Sequence, residues 1–387
     1  MASAPIDVSI LGCTGSIGRS ALDVVRHYPG RFKVAGLATY GNVDLLADQI
    51  REFRPQHAVV VDEMAAARLK GMGLGVPVGA GPDALEELAA VEVDVLLSGI
   101  VGAAGLKPIL RAIGAQRRIA LANKEPLVMA GSLIMEEARA HGVEVLPVDS
   151  EHNAVFQCLH GHSSGDVRCV HLTASGGPFY GRSRESLHTV TAEEATRHPT
   201  WDMGAKISVD SATLMNKGFE VIEAMWLFDM PLDRVRVIIH PQSIVHSLVE
   251  FTDGNILAHL GVTDMRFPIL MALTWPERMA NPMARLDLTQ LRELTFAAPR
   301  FEEFPCLAYA LEAARTGGTA PAVLNAANEV AVEAFCAGRI GFLDIGDVVR
   351  NVLDNGRVHS QVDLETVLAA DAEARREAAQ VIERIGV

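Results

Sequence analysis

The sequence predicts an α/β fold: an N-terminal parallel sheet, an α+β segment with a mixed sheet, and a C-terminal helical bundle. Three observations carry this reading. Up to residue 148, short apolar runs alternate with stretches of helical period, the pattern of a parallel sheet covered by helices on both faces. After residue 150, apolar runs are joined by short turns, as in an antiparallel or mixed sheet. Beyond residue 319, apolar residues recur at three- and four-residue spacing.

Taken in order, residues 8–12 read as a strand, 16–27 as a helix, 32–38 as a second strand, 43–53 as a helix and 58–61 as a third strand. Runs at 95–98, 118–121 and 143–148 continue the series. In the second segment, 167–173, 234–239, 247–251 and 255–260 read as strands, with Thr252-Asp253-Gly254 as a tight turn between the last two. Pro276, Pro282, Pro299 and Pro305 mark a linker. Thr319 and Pro321 suit the cap and first turn of a helix. Its apolar stripe is Val323, Leu324, Ala327, Val330, Ala331, Ala334 and Phe335, and 363–385 is a further helix. Asn325, Asn328 and Glu329 read as bundle hydrogen bonds and solvated groups. The expected division is 1–149 for a cofactor, 150–274 for catalysis, 275–305 as linker and 306–387 as helical bundle.

A chain of 387 residues exceeds one ordinary core, so more than one domain is expected. The net charge of −14 excludes nucleic acid or an anionic membrane as the natural partner. It also requires local positive groups wherever an anionic substrate binds. Cys13, Cys158, Cys169, Cys306 and Cys336 are scattered, odd in number and form no CxxC pair, which fits a reducing compartment with no disulfide framework and no structural zinc. The first residues lack a basic region followed by an apolar core, and no run reaches membrane-spanning length, so a cytoplasmic location is expected.

The chemistry-bearing motifs follow strand ends. Gly12-Cys13-Thr14-Gly15-Ser16-Ile17-Gly18 lies between the first strand and the first helix, where glycines let a pyrophosphate approach the helix N–H groups. This points to a Rossmann-like dinucleotide-binding domain, although the spacing is GxxGxxG rather than GxGxxG. The second strand ends Thr39-Tyr40-Gly41-Asn42 with no acidic residue to take a ribose hydroxyl, which favours NADP over NAD. Asp149-Ser150-Glu151-His152-Asn153 follows another apolar run. If the backbone stays extended, Asp149 and Glu151 point the same way. Two such carboxylates call for a cation, and oxygen donors favour Mg²⁺ or Mn²⁺. A strand end followed by a helix-capping Asp or Ser would read the same.

Lys124, in Ala122-Asn123-Lys124-Glu125, could reach a substrate oxygen or be a surface charge. Ser175-Gly176-Gly177 can form an anion nest. In Asp210-Ser211-Ala212-Thr213-Leu214-Met215-Asn216-Lys217-Gly218-Phe219-Glu220, helical spacing lets Ser211, Asn216 and Lys217 hold a phosphate, with Glu220 on the same side. A surface Lys–Glu pair is the plain alternative.

Taken together, the glycine turn, ANKE, PVDSEHNA, SGGPF, HPTWDMG, KISVDSATLMNKG and HPQS resemble the 1-deoxy-D-xylulose 5-phosphate reductoisomerase family over the whole chain, in the family's order. The resemblance implies a metal-dependent rearrangement and NADPH-dependent reduction of that phosphorylated sugar to 2-C-methyl-D-erythritol 4-phosphate, on the non-mevalonate route to isoprenoids. It implies Asp149, Glu151 and Glu220 as metal ligands. It places Ser175, Ser211, Asn216 and Lys217 around the substrate phosphate, and Lys124, Ser150 and Glu151 near its hydroxyls. His198, Trp201 and Met203 fall on a flap. Thr14, Gly15, Ser16, Ile17, Gly41, Asn42, Asn123, Glu125 and Gly204 fall on the cofactor, and a homodimer is implied.

Two positions depart from the family pattern. Pro126 stands where a Ser is common, and Tyr40-Gly41 replaces a small-then-basic pair. A plain NADP-dependent oxidoreductase on another small phosphorylated or semialdehyde substrate needs neither three carboxylates nor a phosphate cradle. A non-catalytic dinucleotide sensor leaves the carboxylates without a role.

Overall fold

The computed structural model describes residues 4–115, 118–201 and 203–385. The chain divides into two compact units. The first comprises Met1–Pro126, Ile134–Ser150 and Asp264–Met283, and the second Leu127–Leu133, Glu151–Thr263 and Ala284–Val387.

The first unit is built on seven strands: β1 (Ile6–Leu11), β2 (Phe32–Thr39), β3 (His57–Val60), β4 (Val78–Ala80), β5 (Val95–Ser98), β6 (Arg118–Leu121) and β7 (Val145–Pro147). They lie in the order β4-β3-β2-β1-β5-β6-β7, every neighbouring pair parallel. Fully apolar runs such as Val95-Leu96-Leu97 are buried, as a sheet covered on both faces requires. The order reverses between β1 and β5, so a crevice opens at their C-terminal ends. The expected strands are all present. β4 was not foreseen, because Val78-Gly79-Ala80 is too short to show a period. Arg118 donates to the Trp275 carbonyl at 2.9 Å and Arg266 to Asp23 at 2.8 Å, which fixes the 264–283 segment to this unit.

The second unit carries β8 (Val167–Ala174), β9 (Val235–Ile239), β10 (Val245–Phe251) and β11 (Ile256–Leu260) in the order β11-β10-β8-β9. β8 and β9 run parallel and the other pairs antiparallel, so the sheet is mixed as expected. Thr252-Asp253-Gly254 makes the β10–β11 turn, where Gly254 takes φ +88°. One sheet face buries Val170, Leu172 and Val249 with Val155 and Val221 from helices Ser150–Leu159 and Met215–Leu227.

Helices Cys306–Thr316, Ala320–Cys336, Asp344–Asn355 and Leu364–Ile385 form the terminal bundle. Buried Asn328 donates to Asp210 at 2.8 Å, and Asn325 to Glu329 at 3.0 Å. Glu329 is not simply solvated: Arg375 pairs with it at 2.6 Å. Thr319 makes no side-chain cap; its hydroxyl accepts the His359 N–H at 2.9 Å instead. Among the described residues, no helix is long and apolar enough to cross a membrane.

Candidate active site

In the first unit the candidate residues follow strand ends. Gly12 has φ +84°, and a Cβ there would fall 2.5 Å from the Gly99 carbonyl oxygen; one on Gly18 would fall 2.4 Å from the Cys13 Cα. Only glycine lets the turn close this tightly. Helix Ser16–His27 starts at Gly15 with no side-chain cap, so its first N–H groups remain available to an anion. The Thr14 and Thr39 hydroxyls meet at 2.5 Å and tie the turn to β2. Gly41 and Asn42 come next, the Asn42 side chain accepting the Leu45 N–H at 3.3 Å as a helix cap. Tyr40 is 74% exposed.

After β6, both polar atoms of the Asn123 amide are buried with no hydrogen-bond partner among the described residues. A buried amide left this way costs free energy, and a cofactor carrying its own amide and hydroxyl groups fits the demand. Lys124 is buried, not a surface charge, and lies 2.5 Å from Asp149. Glu125 opens helix Glu125–His141 with Pro126 in the first turn, a position that needs no N–H; the departure at Pro126 is accommodated there.

The backbone does not stay extended through Asp149–Glu151. β7 ends at Pro147 and a helix begins at Ser150, so strand alternation does not aim the two carboxylates. Asp149 pairs with Lys124 in the first unit. In the second unit Glu151 stands in the first helical turn, 2.7 Å from Lys217 Nζ. Lys217 also donates to Glu220, and the Asn216 amide donates to the other Glu220 oxygen. The i,i+3 and i,i+4 spacing on helix Met215–Leu227 makes this fork, but it is buried, not on the surface. Burial alone would lower the Lys217 pKa; attraction to Glu151 and Glu220 outweighs it, so the ammonium is held above its ordinary value.

His152 was not foreseen as part of this cluster. Its Nε2 lies 2.8 Å from the Glu220 carbonyl, its Nδ1 3.5 Å from buried Glu223, and its ring stacks on Phe228. The available signal, Glu223 three residues beyond Glu220, marks the helix but not the histidine it meets.

Beside the fork lies the SGG turn. The Ser175 hydroxyl accepts the Gly177 N–H at 3.1 Å, and Gly177 packs so closely on the Ser211 carbonyl that a Cβ would fall 2.7 Å from it. His198 Nδ1 accepts the Trp201 N–H at 3.0 Å and the Thr200 N–H at 3.3 Å, so the neutral ring carries its proton on Nε2 and donates to Ser175 at 2.8 Å. Burial lowers the His198 pKa to about 4, with Glu151 pulling the other way. The Trp201 indole lies 6.2 Å from the His246 ring. Met203 and Gly204 lead into helix Ala205–Ala212, with Gly204 as its N-cap. Asp202, inside the HPTWDMG motif, lies outside the described residues.

The second unit thus brings together Glu151, Asn216, Lys217 and Glu220, and holds Ser175, His198 and Ser211 through shared contacts. Its acidic donors are all oxygens, a set for Mg²⁺ or Mn²⁺ rather than zinc.

Comparison with known proteins gives one family. The model for 1-deoxy-D-xylulose 5-phosphate reductoisomerase matches residues 8–131, that for the enzyme's C-terminal domain 145–228, and that for the DXP reductoisomerase C-terminal domain 260–377. The chain is 53% identical over 378 residues to the Chlorobaculum tepidum 1-deoxy-D-xylulose 5-phosphate reductoisomerase, covering 97% of this chain and 99% of that one. The Pseudomonas syringae enzyme is 51% identical over 394 residues, covering 99% and 100%. Among solved structures, the Zymomonas mobilis enzyme in complex with NADPH superposes with a TM-score of 0.91 at 47% identity, covering 98% of this chain and 99% of that one. A DOX-P reductoisomerase in complex with NADPH, fosmidomycin and magnesium gives 0.94 at 42% identity, covering 98% of each.

Proposed function

The chain belongs to the 1-deoxy-D-xylulose 5-phosphate reductoisomerase family, and from that premise we propose how its residues divide the work. It is an NADPH-dependent, metal-dependent enzyme that rearranges and reduces 1-deoxy-D-xylulose 5-phosphate to 2-C-methyl-D-erythritol 4-phosphate. The observation that carries the assignment of roles is Lys217, a buried ammonium between Glu151 and Glu220 at the start of a helix. It marks where carboxylates need a cation and where a helix start and an ammonium can meet a phosphate.

Asp149, Glu151 and Glu220 hold the divalent ion, which when bound supplies Lewis-acid polarisation of the ketose oxygens. Lys217 then leaves the carboxylates and turns with Ser175, Ser211 and Asn216 to the substrate phosphate. Lys124, Ser150 and Glu151 orient the sugar hydroxyls, Lys124 with its ammonium beside Asp149. Fixing the sugar at both ends restricts the reacting carbons to productive arrangements. His198 steadies the turn at Ser175, and Trp201 and Met203 cover the site and exclude water. Thr14, Gly15, Ser16, Ile17, Gly41, Asn42, Asn123, Glu125 and Gly204 hold NADPH, the source of hydride.

The segments 1–149, 150–274, 275–305 and 306–387 serve as cofactor, catalytic, linking and supporting parts. β11 is a sheet edge with Ile256, Leu257 and Leu260 exposed, which suits strand-edge pairing in a homodimer. Five free cysteines suit the cytoplasm. Nucleic acid and membranes are not partners of so acidic a chain. The test is NADPH oxidation with 1-deoxy-D-xylulose 5-phosphate, with and without Mg²⁺ or Mn²⁺, and analysis of the product's carbon skeleton. An unbranched product would return the assignment to a plain oxidoreductase.

A further inference from the structure

We propose that Cys169, His171 and Glu250 form a second metal site, selective for a zinc-class ion and separate from the carboxylate site. Cys169 and Glu250 are direct partners across β8 and β10, and His171 lies two residues beyond Cys169 on the same face. Adjacent strand residues point to opposite faces, so Glu250 faces away from the side on which the Ser247 hydroxyl meets the Glu151 carbonyl.

The three donor atoms are already spaced as ligands. Cys169 Sγ lies 3.5 Å from His171 Nε2 and 3.3 Å from Glu250 Oε2, and those two lie 3.2 Å apart. Zinc bond lengths of about 2.3 Å to sulfur and about 2.0–2.1 Å to nitrogen and oxygen, at tetrahedral angles, put such donors roughly 3.5, 3.5 and 3.3 Å apart. Arg168 holds the other Glu250 oxygen at 2.5 Å, which orients the carboxylate and leaves Oε2 to the ion. Cys169 is buried, whereas the side chains of His171 and Glu250 are 17% and 13% exposed, so water can take the fourth position.

Binding releases the Cys169 thiol proton to solvent. His171 binds as neutral imidazole with its proton on Nδ1, and Glu250 as carboxylate. The dication, thiolate and carboxylate sum to zero charge, so no unbalanced charge is buried. A thiolate–imidazole–carboxylate set prefers Zn²⁺ or Co²⁺ to Mg²⁺ or Mn²⁺, the reverse of the catalytic carboxylates.

The test is Co²⁺ and Zn²⁺ titration of the full chain in saturating Mg²⁺. Wild type should bind an equivalent of Co²⁺ with a thiolate-to-cobalt charge-transfer band, displaced by Zn²⁺. Cys169→Ala should lose the band and that equivalent while keeping Mg²⁺-supported kcat/KM. His171→Ala and Glu250→Gln, at partly exposed positions, should each weaken Zn²⁺ binding by about tenfold or more, and they carry the test if Cys169→Ala does not fold. No band in wild type, a band that survives Cys169→Ala, or unchanged affinity in both other variants overturns the site and leaves three hydrogen-bonded side chains.

Discussion

Lys217→Met removes the ammonium that pairs with both Glu151 and Glu220 in the second unit, while keeping most of the side-chain stem. The Lys217 and Glu220 side chains are 4% and 1% exposed, so water cannot replace the lost charge. Removing one partner of a buried pair costs roughly 3–5 kcal/mol, and here two carboxylates lose the same cation. The metal-free variant should therefore be less stable than wild type by about that amount.

A divalent ion should restore much of it. The ion neutralises the same carboxylates and no longer competes with an ammonium, so its affinity rises; each tenfold tightening adds about 1.4 kcal/mol to the stabilisation that metal confers. The assay is thermal unfolding over a Mg²⁺ titration. The Tm gain at saturation should exceed that of wild type, although kcat/KM falls because the phosphate has lost its ammonium. The pH dependence has a definite sign. A folded-state lysine pKa held above its ordinary 10.5 contributes fully below that value and is lost only as pH rises through the folded pKa. The stability gap between variant and wild type should thus be flat from neutral to mildly alkaline pH. A Tm gain equal to or smaller than that of wild type, with unchanged metal-free stability, would show that Lys217 does not stand in for the metal.

Asp149→Asn and Glu220→Gln should each cut turnover by a hundredfold or more, on the order expected for losing a metal ligand, with NADPH affinity nearly unchanged; fluorescence titration of NADPH separates the two. Retained turnover after exhaustive chelation would reject the carboxylate site. Trp201→Ala should lower kcat/KM with little loss of stability, and hydrogen exchange across 198–204 should slow when a phosphorylated analogue and metal are added. Equal protection in both states, with a large Tm loss, would make the indole structural. For His198, an unfolded ring protonates near 6.5 and the folded ring near 4, so the unfolded segment binds more protons in that window. Order around 198–201 should fall, and proteolysis there rise, as pH drops from about 6.5 to about 4; proteolysis that is flat over this range in wild type, or that rises equally in His198→Gln, would refute it.

The parts of the fold legible from sequence are those where one local period decides the structure. Val95-Leu96-Leu97 is apolar throughout because both sheet faces are covered, and Thr252-Asp253-Gly254 reads as a turn because Gly254 alone takes its positive φ readily. β4 escaped because three residues show no period. The carboxylate motif was identified by composition, but a continued strand and a strand end followed by a capping residue read alike there. Pro147 ends the strand and Ser150 starts a helix, so strand alternation does not place the two acids, and each meets its own ammonium, Lys124 for Asp149 and Lys217 for Glu151.

The limits of the motifs are instructive in the same way. Asn216, Lys217 and Glu220 could be related by helical spacing, since i,i+3 and i,i+4 neighbours meet wherever the helix goes. What spacing could not reveal is burial, and burial decides the chemistry. An exposed Lys–Glu pair is worth little, whereas a buried ammonium between two carboxylates is a strong charge constraint. His152 illustrates the converse. Its role depends on a carbonyl 68 residues away, and no pattern along the chain links the two. His198 lies between these cases. Its proton is located by two backbone N–H groups from Thr200 and Trp201, so the turn that follows it fixes the tautomer that meets Ser175. A motif names the side chains, and only the backbone path around them determines which atom donates, which accepts and which charge must be met by a ligand.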